Sequence, residues 1–249
     1  MRIPLSLLAA LLLAHAAHAQ TTDPEQQGDR KAAAAGHSPS FSVKWNPGSL
    51  AFGKVSLHGE YNLKRKKSVT FGIGIPVSNT FDRTISGDDV RLENKTLSVM
   101  AGYRMYLGKK TMTGVYFEPY LKYLDYKGTG LYTYNGGFVP EVYQASVNHS
   151  GAGLGAQLGV QFMIAKLITF DLFLLGPEAN FGKSDAVFRQ VSGSPVAWDG
   201  DDVAESLRDL PIIGNDLEIT IDNSNRTVTA RRKGFTPGFR AGLSVGVRF

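Results

Sequence analysis

The chain has 249 residues, 43% of them hydrophobic, a net charge of +5 and no cysteine. That is enough for one domain with a sizeable core, and it excludes a disulfide framework and a cysteine-linked lipid anchor. The basic residues are scattered apart from Lys64-Arg65-Lys66-Lys67, so the clustered stripe that nucleic-acid binding requires is absent.

The elements follow in chain order. Met1-Arg2-Ile3-Pro4 precedes an apolar run from Leu5 to Leu13, and small residues lead to Ala17-His18-Ala19 before Gln20. A basic start, a short apolar centre and an A-x-A site predict a secretory signal peptide over residues 1–19. Residues 20–40 are rich in Gln, Ala, Asp, Gly and Ser without apolar periodicity and predict a disordered periplasmic leader. No later segment holds about 18 uncharged apolar residues, so no transmembrane helix is expected.

From residue 41 onward apolar residues recur at every second position, the period of a strand with two unlike faces. The pattern predicts eight strands, near 41–46, 54–63, 68–78, 95–107, 114–126, 152–165, 168–177 and 237–249. In the last, Phe239, Ala241, Leu243, Val245, Val247 and Phe249 share one face, with Arg240, Gly242, Ser244, Gly246 and Arg248 on the other. The seventh is less regular, because Phe173 and Leu175 interrupt its polar face. Links after strands two, four and six are short and those after three, five and seven are long, the last spanning about 178–236. Short turns at one end and long loops at the other are how single-chain outer-membrane barrels are built. Within 178–236, Asp202 and Glu205 are spaced as a capping box, and Val203, Leu207 and Leu210 mark one helix face. Leu217, Ile219 and Ile221, then Asn223-Ser224-Asn225, then Thr227 to Arg231, predict a hairpin.

Alternation alone also fits a soluble sandwich or a lipocalin-like barrel. Three features favour the membrane. The polar face is rich in glycine (Gly72, Gly74, Gly102, Gly153, Gly155, Gly159, Gly242, Gly246), which suits the crowded interior of a narrow barrel. Aromatic residues near strand ends (Trp45, Tyr61, Tyr106, Tyr116, Tyr126, Phe249) are expected to form headgroup-level belts. The chain also stops on an aromatic residue at the end of its most regular strand.

The segment from Gly238 to Phe249 resembles the C-terminal recognition signal of outer-membrane barrels. Residues 41–249 resemble the small eight-stranded group typified by the OmpA and OmpX barrels. The resemblance implies an all-β, antiparallel up-and-down transmembrane barrel in the cell outer membrane, in contact with its lipid and lipopolysaccharide. It further implies that the barrel-assembly machinery reads Phe239, Leu243, Val245, Val247 and Phe249.

Chemistry is sparse. No cofactor or metal site is expected, because there is no cysteine and no histidine pair at ligand spacing. Asp199, Asp201 and Asp202 form an acidic cluster without the loop pattern of a calcium site. A barrel hydrolase or protease would have to use His149-Ser150, whose side chains should point apart. The remaining constellation is charged and inward-facing: Lys44, Glu60, Arg104, Glu118, Lys122, Asp171, Arg240 and Arg248, with His58 among them. In a narrow lumen such charges must pair, which predicts a closed interior. The expected function is therefore non-enzymatic, structural or surface-interacting through the extracellular loops toward an extracellular ligand or protein. A narrow porin-like channel is the alternative.

Overall fold

The computed structural model describes residues 41–249 apart from 65, 86–87, 109, 111, 135–139, 166, 194–197 and 209–216; the expected signal peptide, the expected leader and Leu210 lie outside the described residues. Ten strands run in chain order: β1 (Phe41–Asn46), β2 (Lys54–Lys64), β3 (Lys67–Pro76), β4 (Asn79–Ile85), β5 (Asp88–Tyr106), β6 (Gly114–Tyr134), β7 (Glu141–Ile164), β8 (Ile168–Ser192), β9 (Glu218–Asp222) and β10 (Thr227–Arg248). One helix, α1 (Gly200–Arg208), lies between β8 and β9. Every pairing is antiparallel, and the order β1-β2-β3-β5-β6-β7-β8-β10 closes on itself through β1 and β10. This is the eight-stave ring that the alternation predicts.

Closure is required because an open sheet edge has no partner for its amides in hydrocarbon. On β6 the outward residues Val115, Phe117, Pro119, Leu121 and Tyr123 form a nine-residue apolar span, and Asp125 and Lys127 follow. Nine to eleven tilted residues cross a bilayer, so this span matches one crossing. Phe71, Leu154, Phe162, Phe239 and Phe249 are exposed on the same outer surface. Among the described residues no helix is long and apolar enough to cross a membrane; the strands do it.

The first three staves match their expected spans, and the other five are far longer than predicted. β6, β7, β8 and β10 have 21, 24, 25 and 22 residues, whereas β1, β2 and β3 have 6, 11 and 10. The links expected as long loops at 79–94, 127–151 and 178–236 are in large part continuations of the staves. Beyond the membrane their faces no longer separate lipid from lumen, so the clean alternation that marks the lower halves fades. The result is a lopsided barrel. Its rim is low over β1–β3, and a tall curved sheet rises from β5, β6, β7, β8 and β10, edged by β4 and β9.

The inner face of this superstructure turns apolar. Val90, Leu92, Tyr132, Tyr143 and Ala145 form one cluster, and Val228 and Ala230 form another with Val203, Ala204 and Leu207 of α1. Phe188 and Trp198 pack against both. The predicted helix and hairpin therefore exist, but the cap is Asp199 rather than Asp202. Asp199 Oδ1 accepts the backbone N–H groups of Asp201 and Asp202 at 3.1 Å each, because the helix starts a residue or two before the expected box. Burial, then the hydrogen bond that Tyr143 donates to Glu141 at 2.6 Å, hold the Tyr143 phenol well above its usual pKa, so it stays protonated. Leu207→Asp would place an unpaired carboxylate in this core, and several kcal/mol is the expected scale of that burial. The expected result is rapid proteolysis between 193 and 226 while the membrane barrel, which shares none of these contacts, keeps its heat-modifiable migration on gels.

One irregularity explains the uneven seventh strand. Leu158 pairs with Leu175 while Gly159 pairs with Phe173, so Leu174 is an extra residue in a β-bulge. The bulge flips the phase: Phe173 is buried inside, and Leu174 and Leu175 are both exposed outside.

Candidate functional site: a filled and ion-paired lumen

The inner face of the membrane segment is built by parity. Lys44 on β1, Glu60 on β2, Arg104 on β5, Glu118 on β6 and Asp171 on β8 all point inward at one level, and all are buried. Lys44 Nζ donates to Glu60 at 2.6 Å, to Gln161 at 2.5 Å and to Asp171 at 2.8 Å. Arg104 pairs with Glu118 at 2.7 Å and with Asp171 at 2.7 Å, and donates to Gln161 Oε1 at 2.8 Å. Its guanidinium also lies 3.7 Å from the centroid of the Tyr116 ring. Two cations thus bind three carboxylates across the full width of the barrel. The guanidinium offers five donors in a fixed fork against the three of an ammonium, so Arg104 can hold Glu118 through two of its nitrogens while it also reaches Asp171 and Gln161.

The network has a floor. Tyr106 donates to Glu60 and Tyr116 to Asp171, each at 2.5 Å. Met112, in the short turn between β5 and β6, is folded in beneath them and fully buried, and Gln161 Nε2 donates to its carbonyl at 2.9 Å. Tyr106 and Tyr116, expected in the headgroup belt, are therefore lumen residues: proximity to a strand end says nothing about which face a ring occupies. Tyr126 also leaves the belt, donating to Asn94 at 2.7 Å. Trp45, Tyr61 and Phe249 are exposed on the outer face.

Above the network lie the other expected residues. Arg240 stacks between Phe173, 4.8 Å from its guanidinium carbon, and Tyr120, at 5.2 Å. Lys122 pairs with Glu178, which also accepts from Tyr120 at 2.8 Å. Arg248 lies at the short-turn end of the lumen, 3.4 Å from Thr113 Oγ1. His58 lines the small space left over the network with Gly59, Met100, Phe173 and Arg240, which has room for about one water molecule. Sequence reasoning missed Tyr106, Tyr116, Gln157, Gln161 and Glu178. Parity places the first four on the inner face, but Glu178 fell beyond the expected end of its strand.

Glycine makes the space. Gly155 and Gly159 pair directly with Tyr120 and Tyr116, and a Cβ on either would collide with the facing tyrosine ring and hydroxyl. Large rings lie flat over glycine on the neighbouring stave, which is how side chains fill a barrel this narrow.

The other candidates are separated by the strand period. His149 faces inward, 2.8 Å from Ser184 Oγ, and Ser150, its neighbour in sequence, belongs to the opposite face. Asp199 spends its carboxylate on α1. Among the described residues no group of His, Asp and Glu has the arrangement of a metal site.

A closed antiparallel ring, an apolar outer belt of one-bilayer height and a filled polar interior define an integral outer-membrane β-barrel. The family model described as "Outer membrane protein beta-barrel domain" matches residues 6–186, more than half of the chain, and the protein belongs to that family. Solved structures give two likenesses. A major outer membrane protein from Thermus thermophilus is 16% identical with a TM-score of 0.42, covering 86% of this chain and 100% of that one. CarO of Acinetobacter baumannii is 11% identical with a TM-score of 0.46, covering 85% of this chain and 98% of that one. No curated protein matches the chain. The protein is located in the outer membrane.

Proposed function

We propose that this outer-membrane barrel is a non-enzymatic, non-conducting anchor whose extracellular superstructure is its working surface. The observation that carries this reading is the cross-lumen network of Lys44, Glu60, Arg104, Glu118 and Asp171, sealed below by Tyr106, Tyr116 and Met112. An ion passing through would have to break buried, charge-assisted hydrogen bonds in a low-dielectric interior, each strong relative to a neutral one. The length of β5–β10 beyond the membrane supports the second half of the reading. So much ordered chain, with its own core around α1, is more than a stave-to-stave connection needs, and it presents a surface to an extracellular ligand or protein. The separation of His149 from Ser150 supports the absence of catalysis. The outward row Phe239, Leu243, Val245, Val247 and Phe249 is the surface we assign to the barrel-assembly machinery.

Planar-bilayer recording of the purified full chain tests closure. No unit conductance steps are expected, and reproducible steps would overturn the reading in favour of a narrow channel. Replacing residues 193–226 with a short turn tests the working surface. The trimmed protein should still insert and migrate as a folded barrel, and cells carrying it are expected to adhere more weakly than cells carrying the full chain. Unchanged adhesion would remove the surface role.

A further inference from the structure

The outer face changes character sharply at the top of the apolar belt. One row of neighbours across the sheet reads Val99, Tyr123, Ala152, Phe181, Phe235; the next row outward reads Leu97, Asp125, Ser150, Lys183, Lys233; the next reads Lys95, Lys127, Asn148, Asp185, Arg231. Two of these contacts set lysine directly against lysine: Lys183 opposite Lys233, and Lys95 opposite Lys127. Like charges directly opposite on one sheet face are destabilising. Lys95 is relieved by Glu93 at 3.0 Å. The ammonium groups of Lys183 and Lys233 are exposed and make no hydrogen bond or ion pair with another described residue. Arg231 stands one row above them, held by Asp185 at 3.4 Å in an exposed pair of little energetic weight. Immediately below them, Phe181 and Phe235 pack ring to ring at 5.6 Å and remain about half exposed.

We propose that Lys183 and Lys233, assisted by Arg231, cradle a phosphate group on an outer-leaflet lipid whose acyl chain lies against the Phe181–Phe235 pair. The chemistry fits in each part. A dianionic phosphate between two opposed ammonium groups converts their repulsion into two charge-assisted hydrogen bonds. The aromatic pair sits where the hydrocarbon begins, the level at which amphipathic and aromatic side chains anchor a barrel. Basic clusters bordering an apolar span bind anionic headgroups. The site lies at the outer leaflet because the short connections from β2 to β3, β5 to β6 and β7 to β8 are at the opposite end of the staves, and short turns face the periplasm. A free inorganic anion lacks the acyl chain, and the phenylalanine pair favours the lipid as the source of the phosphate. The inference needs only the membrane placement of the barrel and is indifferent to whether the lumen conducts.

The test uses the purified full chain in neutral detergent, titrated with bis-phosphorylated lipid A and, in parallel arms, with dephosphorylated lipid A and with inorganic phosphate. Binding is read by native mass spectrometry and by the temperature at which the barrel loses its fast-migrating form. The phosphorylated lipid is expected to bind and to raise that temperature; the other two probes are expected to do neither. Lys183→Gln/Lys233→Gln should weaken the lipid by roughly thirtyfold, at about fivefold per lysine. Lys67→Gln, at the periplasmic end, should leave binding unchanged. Without lipid the double variant should be at least as heat-stable as the parent, since it removes a repulsion. Equal binding by the double variant, or an equal response to dephosphorylated lipid or to phosphate alone, would overturn the proposal. So would a double variant that is less stable in the absence of lipid.

Discussion

Arg104→Met is expected to unfold the barrel at a markedly lower urea concentration than the parent, by the equivalent of about 3–5 kcal/mol. Arg104 is buried and bridges Glu118, Asp171 and Glu60, at 2.7, 2.7 and 3.4 Å. Its loss leaves three buried carboxylates with Lys44 as the one remaining cation of that network. Hydrophobic replacement supplies packing but no charge, so the cost is the desolvation of ions left without partners. Total stabilities of folded domains are about 5–15 kcal/mol, which makes this a large fraction. Arg104→Lys should recover only part of it, because an ammonium has three donors where the guanidinium has five and cannot reproduce the two-nitrogen contact with Glu118. In Arg104→Met/Glu118→Gln the carboxylate most dependent on Arg104 is neutralised as well, and a good part of the loss should return. A midpoint for Arg104→Met equal to that of the parent would show that the network contributes no stability.

Gly246→Val is expected to abolish the folded, fast-migrating form altogether. Gly246 sits opposite Lys44 at the seam where β10 meets β1 and the ring closes. A Cβ there would run into the backbone carbonyl of Val43 and the Cα of Lys44, closer than real Cβ atoms approach backbone. The obstruction is backbone, not the free end of a side chain, so it yields only if the strands separate. The registered seam is short, four residue pairs from Ser42–Arg248 to Trp45–Val245. Separation therefore exposes both edges to hydrocarbon, where unpaired amides cost several kcal/mol per group. Gly108→Ala, whose Cβ would meet nothing within 4 Å, is the matched control and should migrate as the parent does. A folded Gly246→Val barrel would mean that the seam is not the tight closure described.

The lumen and the superstructure were legible to different degrees. Lys44, Glu60, Arg104, Glu118 and Asp171 could be placed inward from parity, because a strand of two unlike faces fixes where every second side chain goes. Their mutual distances could not, since they come from five different staves. The floor was hidden for another reason: Met112 belongs to a turn that folds back into the barrel, and no periodicity governs a turn. Glu178 was missed because the bulge at Leu174 shifts the phase of β8 and made its strand look finished. The lysine pair at 183 and 233 is fifty positions apart in sequence and adjacent only by register.

The sequence by itself determined the strand period, the apolar and polar faces, the alternation of short and long links and the aromatic closing strand. Together with the glycine-rich inner face these favour a closed membrane barrel over a soluble one, because local side-chain order is what separates a lipid-facing surface from a lumen-facing one. The tertiary structure decided which inward charges meet, that Arg104 is their hub, that the short-turn end of the lumen is plugged, and that five staves continue into a tall sheet packed around α1. Those outcomes depend on register between distant staves and on contacts outside the membrane. There both faces of a strand meet protein or water, and the two-face rule that made the barrel readable no longer applies.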